Sequence, residues 1–558
     1  MIILGISGGI GHDPAACIVI DGQLRAMAEE ERFTRVKRAP NQMPIYATLY
    51  CLKEAGIELS DIDAIATAWD PTLDPSYFSV NDAMRAFKGH KAFHGHTFPP
   101  IVSIDHHHAH AASSFFASGF SDAAILVVDG QGERVSITIA HGQNRAIKVV
   151  QSFGITQSIG NFYGAISTYI GLGAKNPGKT MGLAPYGQPQ YDFPQIKLAS
   201  DGYVMNISEP KDTPYTLWSR DIYLQWLNIF TELFGPKPET RLSFDLSSST
   251  FKTHLNIDQR LKDIASSAQH TLEELMLHLT TIAVKATSSR NLVLAGGVAL
   301  NCTANGLLQR SGLIDELYIF PAAHDAGGAL GAALALATQH QEPMCNVIDH
   351  AYWGPAFSDQ DIVSSLRIAG LPIIEHDDIG GVVAELIQRG AVVGWFQERM
   401  EVGPRALGHR SILASPARVE IRDRVNEVKG REKWRPLAPS MLAGEEKRVL
   451  DSLSPSPFML KAALVYPESR NQLAAVTHVD GSTRPQTVTE ASGTAFCRLL
   501  SCLKEETGIG AILNTSFNDA HEPIVCTPRD AIKTFVSTSL DALAIGHYLV
   551  VKPSFRKR

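Results

Sequence analysis

The chain has 558 residues, 44% apolar and 19% charged, enough to bury a large core spread over two to four domains. A formal charge of −7 excludes a protein whose whole surface binds nucleic acid, because that task needs a dominant positive field. Seven scattered cysteines without a CxxC pair fit reduced thiols rather than a disulfide framework; no apolar run is long enough to span a bilayer, "MIILGISGG" is too short for a signal peptide, and the expected compartment is the cytoplasm.

Taken in chain order, short β-branched runs alternate with turns over the first third. The runs 2–7, 15–22, 64–69, 100–105, 123–130 and 135–142 read as strands of a sheet. The stretch from about 190 to 290 is less patterned and reads as a lobe-shaping insertion, with a helical run at 261–288. Then "LVLAGGVALN" (292–301) reads as strand and Gly turn, and 316–340 as strand, loop and Ala-rich helix. A polar, Pro-containing linker follows at 346–361. It separates a first domain, 1–345, from a second α/β unit, 362–558, with buried strands at 390–397, 510–517 and 541–552. The strands 2–7, 123–128 and 292–295 each end in a small-residue or Gly turn, which lets backbone approach a ligand closely.

"GAKNPGKT" (173–180) has the spelling of a phosphate loop, but that motif works only with a strand leading into it and a helix leaving it. Here a helical pattern precedes it, and "MGLAPYGQPQ" after it is rich in Gly and Pro. The expectation is therefore a loop that carries Lys179 as a cation, not a P-loop.

"DHHHAHAA" (105–112) places His106 and His110 four apart, on one face of a helix. Two imidazoles one turn apart grip a divalent transition metal, and Asp129 and Asp325, both at strand ends or helix starts, are the candidates to complete its shell. His107 and His108 point elsewhere and read as structural. His12, in the first Gly turn, titrates near neutrality and could take a proton from a hydroxyl; a plain turn cap is the equal alternative. Between Arg399 and Arg435 there are ten Lys or Arg against five Asp or Glu. Arg418, Arg422 and Arg424 fall on a solvated helix face. The turn-borne Arg405, Arg410, Lys429, Arg431 and Arg435 suit a polyanion, with Arg484 and "NTSFN" (514–518) as additions to the same site.

Together "AEEERFTRVKR", "DHHHAH", "VVDGQGE", "MGLAPYG", "AGGVALNCTANG", "HDAGGALGAAL", "EVGPRALGHRSILA", "VKGREKWRPLAPS" and "LNTSFN" resemble the O-carbamoyltransferase family of nodulation protein U, cephem carbamoyltransferase and nebramycin synthetase, over nearly the whole chain. The resemblance implies an α/β protein: an N-terminal actin/sugar-kinase-like domain of duplicated ribonuclease-H-like halves, and a C-terminal YrdC-like domain. It implies that the C-terminal site makes carbamoyl adenylate from carbamoyl phosphate and Mg2+–ATP, using Lys429 and Arg484 with Arg431, Arg435, Asn514 and Ser516. It further implies Fe2+ or another divalent transition metal on His106, His110, Asp129 and Asp325. Adenosine would sit at Gly296, Gly297, Asn301 and Asn305, phosphate near Lys37 and Lys179, and His12 would accept the proton of the hydroxyl that receives the carbamoyl group. The partners so implied are ATP, carbamoyl phosphate and a hydroxylated secondary metabolite, with no membrane and no nucleic acid; homodimerisation is open. Two departures stand out: His521 where the family usually has Gly, and Asn176-Pro177 before "MGLAPYG". A metabolite kinase of the same superfamily, or a nucleotide- and metal-binding partner in tRNA modification, are the alternatives. The segments 70–98 and 190–290 are expected to choose the acceptor, which stays unread.

Overall fold

The computed structural model describes every residue except 9–10, 74–84, 86, 212–217, 246–249, 452–453, 490–492, 521 and 557–558. His521 and part of the 70–98 segment thus lie outside the described residues.

Two five-stranded sheets organise the N-terminal module. The first holds β1 (Ile2–Ser7), β2 (Ala15–Ile20), β3 (Gln23–Glu29), β4 (Ala64–Thr67) and β5 (Ile101–Ser103) in the order 3-2-1-4-5. The second holds β6 (Asp122–Val128), β7 (Val135–Gln143), β8 (Ala146–Gly154), β9 (Asn291–Ala295) and β10 (Glu316–Ile319) in the order 8-7-6-9-10. In each, three strands run antiparallel and the last two lie parallel to the first. The second sheet repeats the topology of the first, which is the duplicated ribonuclease-H-like arrangement expected. The helices His106–Ser118 and Ala326–Gln339 pack against each other, so closely that a Cβ on Gly331 would lie 1.7 Å from the carbonyl oxygen of Ala109. Small residues along "HDAGGALGAAL" permit that approach.

The helix Gln259–Thr287 corrects the insertion reading for the end of the 190–290 stretch. Its residues Ile264, Leu272, Leu275 and Leu279 are buried in one cluster with Leu126, Ile137 and Leu292 of the second sheet. It is a crossover helix of the core, and its apolar stripe is what fastens it there. Before it, Trp218–Phe234 is a helix that buries Ile222, Trp226 and Phe230.

The C-terminal module is built on a seven-stranded mixed sheet. Its strands are β11 (Val393–Phe396), β12 (Arg410–Ala414), β13 (Ala438–Leu442), β14 (Gln486–Val488), β15 (Ala511–Ser516), β16 (Ala542–Ile545) and β17 (Tyr548–Val551), ordered 14-13-15-12-11-16-17. The single apolar run at 541–552 is a hairpin, because Gly546 turns it with φ +55°. β15 reaches Ser516, so Asn514 lies within the strand expected over 510–517. Residues 346–358 run against the N-terminal module, with Ile348 N–H donating to Ala117 O at 2.9 Å, before Ser358 caps the helix Asp359–Ile368.

A candidate metal and anion site in one cavity

Asp105 caps the helix His106–Ser118 by accepting the N–H of His108 at 2.7 Å, which sets the helix register and turns His106 and His110 to one side. His106 Nδ1 lies 3.1 Å from Ala68 O, an acceptor only, so Nδ1 carries the proton and Nε2 presents its lone pair. That Nε2 is 3.1 Å from His110 Nε2 and 3.3 Å from Asp129 Oδ2. Asp325 Oδ1 lies 3.9 Å from His106 Nε2 and 3.8 Å from His110 Nε2. All four donor atoms fall within 4.8 Å of one another.

Metal bonds of about 2.1 Å place neighbouring donors about 3.0 to 3.5 Å apart in tetrahedral or octahedral shells. The observed edges of 3.1 to 3.9 Å are close to that geometry. Two imidazole nitrogens and two carboxylates suit a divalent transition metal. The electrostatics agree. Burial alone would lower the His106 pKa, yet the hydrogen bond to Asp129 and the charge of Asp325 raise it to about 10, so the cluster demands a positive charge at its centre. Burial would likewise raise Asp129, but His106, His110 and the N–H of Gly297, at 2.8 Å from Oδ1, hold its carboxyl far below the usual range. His107 is buried outside the donor set, with Nδ1 3.0 Å from Thr138 Oγ1.

His12 borders the same cluster. Its Nδ1 is 2.8 Å from Asp13 Oδ2 and 3.6 Å from Asp325 Oδ2. Enclosure lowers its pKa, but the two carboxylates outweigh that and lift it to about 9.

The second constellation is cationic. Arg405, Arg431 and Arg435 lie with Arg484 and Lys429 close enough to perturb one another. Burial and then Arg484 push Arg405 down to about 9; burial, Arg435 and Arg484 push Arg431 well below its usual value. Glu432 offsets part of the charge on Arg435, at 3.9 Å. Lys429 Nζ is 1% exposed and is ringed by oxygens of Ser516 and Asn518, with Asn518 Oδ1 at 2.8 Å. Burial and the charges of Arg431, Lys37 and Arg435 still draw its pKa far down. Like charges held half-buried with so little compensation suit the binding of an anion.

Parts of both constellations face a single cavity of about 790 Å3 between the modules, while Lys429 and Arg484 are not in its lining. His12, His106, Asp129 and Asp325 line it together with Arg405, Arg431, Arg435 and Ser516, and so do Lys37, Lys179, Gly297 and Asn301. His110 sits behind this wall, fully buried. Gly296 stands behind Gly297, in a turn that needs glycine: its φ is +86°, and a Cβ there would lie 2.3 Å from Val128 O.

Three expectations need correction. Arg410 is a strand residue with no exposure, and its guanidinium is spent on the carbonyls of Gln397, Pro355, Glu398 and His409 while stacking on Phe396 at 3.7 Å. It holds backbone, not phosphate. Asn305 and Asn514 are also interior: Asn305 Nδ2 donates to Ala299 O at 2.7 Å and Leu460 O at 2.8 Å, and Asn514 Nδ2 to Ser440 Oγ at 2.8 Å. Neither lines the cavity. Lys179 lies on a short helix, Pro177–Leu183, not in a loop; Pro177 starts that helix because its first N–H needs no partner. No strand leads into it, so it is no P-loop, and its Nζ pairs with Glu432 Oε1 of the other module at 2.8 Å.

Glu133, the end of "VVDGQGE", is a residue the motif reading passed over. It is 1% exposed, and its Oε1 accepts the N–H of Asp70 at 2.7 Å and of His106 at 3.0 Å. A lone Glu in a loop carries no sequence signal for that role.

The family model for the Carbamoyltransferase N-terminus matches residues 2–80 and 77–334, and that for the Carbamoyltransferase C-terminus matches 384–552. The chain belongs to the carbamoyltransferase family. Among its relatives, it is 38% identical to nodulation protein NolNO of Sinorhizobium fredii over 588 residues, covering 99% of this chain and 83% of the relative. It is 36% identical to the 3'-hydroxymethylcephem-O-carbamoyltransferase of Amycolatopsis lactamdurans over 256 residues, 46% of this chain and 48% of that one. Among solved structures, a ROK hexokinase from Thermus thermophilus matches at 16% identity with a TM-score of 0.30, over 60% of this chain and 98% of its own.

Proposed function

We propose that this carbamoyltransferase-family chain is an ATP-dependent O-carbamoyltransferase that makes carbamoyl adenylate at its cationic site and transfers the carbamoyl group to a hydroxyl at its His–Asp cluster. The observation that carries this reading is the shared cavity, in which undercompensated half-buried cations and a metal-shaped cluster meet. The C-terminal module, read as YrdC-like, would hold both substrates' phosphates on Arg405, Arg431, Arg435 and Arg484 by charge-assisted bonds. Water cleaves carbamoyl phosphate to carbamate and inorganic phosphate; a carbamate oxygen then attacks the α-phosphorus of ATP, and pyrophosphate leaves. Lys429 would serve this step by holding Ser516 and Asn518, which line the cavity where the phosphates would sit. Carbamoyl adenylate need not leave the protein, because the wall is continuous from Arg405 to Asp325.

At the second site His106, His110, Asp129 and Asp325 fit a divalent transition metal, for which the resemblance favours iron; when bound, such an ion supplies Lewis acidity toward the carbamoyl carbonyl. The chain's own residues do the rest. Gly297 keeps Asp129 in place through its N–H. With Asp325 committed to the ion, His12 would lose one of the two carboxylates that lift its pKa to about 9; as the neutral imidazole it accepts the proton of the acceptor's hydroxyl as that oxygen bonds to the carbamoyl carbon, and Asp13 beside it stabilises the imidazolium that results. The bond to the AMP oxygen breaks, and AMP leaves with the electron pair.

Incubation with ATP, carbamoyl phosphate and a panel of polyhydroxylated metabolites tests this. Carbamoyl phosphate-dependent pyrophosphate, AMP, and an acceptor heavier by one carbamoyl group are expected. ADP from ATP and an acceptor alone would instead mark a kinase and sink the reading.

A further inference from the structure

The loops that carry the cationic site are gripped by a segment of the other module. β3 ends at Glu29 and runs into the short helix Glu31–Thr34. Glu29 Oε1 accepts the N–H of Gly403 at 2.6 Å, and Arg32 Nη2 donates to the carbonyl of that same Gly403 at 2.7 Å. Arg32 is also paired with Glu29 Oε2 at 3.0 Å and with Glu31. Glu29 and Arg32 are 3% and 4% exposed. Burying such a pair is costly, and packing alone would be served as well by apolar residues. Gly403 has φ +96°, and a Cβ there would lie 2.5 Å from Pro321 O, so the gripped residue has one allowed identity. Arg405 follows two residues later.

Arg35 makes a second grip. It donates to Ile524 O at 2.7 Å and to Pro523 O at 2.9 Å, with Asp530 Oδ1 at 3.5 Å. The gripped segment runs back to Asn518, whose Nδ2 donates to Glu522 O at 2.8 Å and whose Oδ1 holds Lys429. Phe33 packs beside Ile524 in the same contact. Lys37 lines the same cavity as Arg405, Pro523 and Ile524; its charge acts on Lys429, while Arg431 and Arg435 act on it.

Resting on the carbamoyl-adenylate reading above, we propose that Glu29, Arg32 and Arg35 are positioning residues of the cationic site and that Lys37 completes its charge, so that adenylate formation in the C-terminal module requires the N-terminal segment Glu29–Lys37. The activated carbamate is then made only where the second module already closes the cavity.

Full-length Arg35→Met, Arg35→Lys and Lys37→Gln, given ATP and carbamoyl phosphate without acceptor, test it by pyrophosphate release, with metal bound per chain as the check on the N-terminal fold. Losing one half-buried pair of charged donor bonds, or one cation beside the phosphates, is expected to change kcat/KM by about tenfold or more. For Lys37→Gln the change falls mainly on KM for the phosphate substrates. For Arg35→Met it falls on kcat as well, and Arg35→Lys recovers part of it by still reaching one carbonyl. Metal content stays at the parent's value. If Arg35→Met does not fold, Lys37→Gln decides, because that side chain is exposed. Parent-like pyrophosphate release in the folded variants overturns the proposal, even where transfer to an acceptor is lost. No pyrophosphate from the parent itself overturns the adenylate reading instead.

Discussion

Glu133→Gln and Glu133→Ala probe how the metal cluster is held without touching a donor atom. The carboxylate is 1% exposed and accepts two backbone N–H groups, from Asp70 at 2.7 Å and His106 at 3.0 Å. A charged acceptor is worth about 1.5–3 kcal/mol per bond and a neutral one about 1, so the amide should cost about 2 kcal/mol over both bonds, including the lost charge at a helix N-terminus. Alanine leaves both N–H groups without this acceptor and should cost about 2–6 kcal/mol. The local consequence is sharper. Asp70 follows the segment whose Ala68 carbonyl fixes the His106 tautomer, so loosening it turns the imidazole. Support groups of this kind change metal affinity by about 10–100-fold. Competition against a chromophoric chelator reads the affinity, and urea unfolding of the metal-free protein reads the stability. A Gln variant binding metal within about twofold of the parent, with an Ala variant equally stable, would refute the argument, since two charge-assisted bonds cannot vanish without cost.

His110→Ala removes a donor that is fully buried behind the cavity wall, and should abolish transfer to the hydroxyl while carbamoyl phosphate-dependent pyrophosphate release persists; joint loss of both in a folded variant would argue against separate sites. Arg410→Met deletes a guanidinium that serves four carbonyls and should destabilise the chain by about 3 kcal/mol or more, yet leave KM for ATP unchanged in the folded fraction. Glu30 caps the helix Ile45–Ala55 through Tyr46 N–H and Ala47 N–H, and burial lifts its pKa to about 7 against those bonds. The native state therefore holds this proton between about pH 4.5 and 7 where the unfolded chain has lost it, so stability falls as pH rises through that window, by about 3 kcal/mol in all. Glu30→Gln should flatten that slope in urea midpoints taken at pH 5 and pH 8; an unchanged difference would refute the assignment.

The His pair was legible because a spacing of four has one meaning on a helix, and Asp129 and Asp325 because strand ends and helix starts converge at a sheet edge. Strands 2–7 and 135–142 were legible from their β-branched runs and lie within a residue of their observed ends. Arg410 was misjudged for a physical reason. Arg405 and Arg410 flank the same glycine in "GPRALGHR", and sequence alone does not say that one falls in a turn beside the cavity and the other on a strand facing carbonyls. Glu133 and the Glu29–Arg35 grip were missed because their partners, at 70 and 106 or 403 and 524, are remote in sequence and are backbone groups that every residue possesses.

By itself the sequence determined the family, from runs of adjacent residues, and through that resemblance the duplicated α/β topology; it also named the candidate donor set, because helix spacing and strand ends are local signals. Only the tertiary structure decided that the cation cluster and the His–Asp cluster share one cavity, and which arginines face it. Those outcomes depend on contacts between residues hundreds of positions apart, where burial and the direction of each side chain, not its type, set the chemistry.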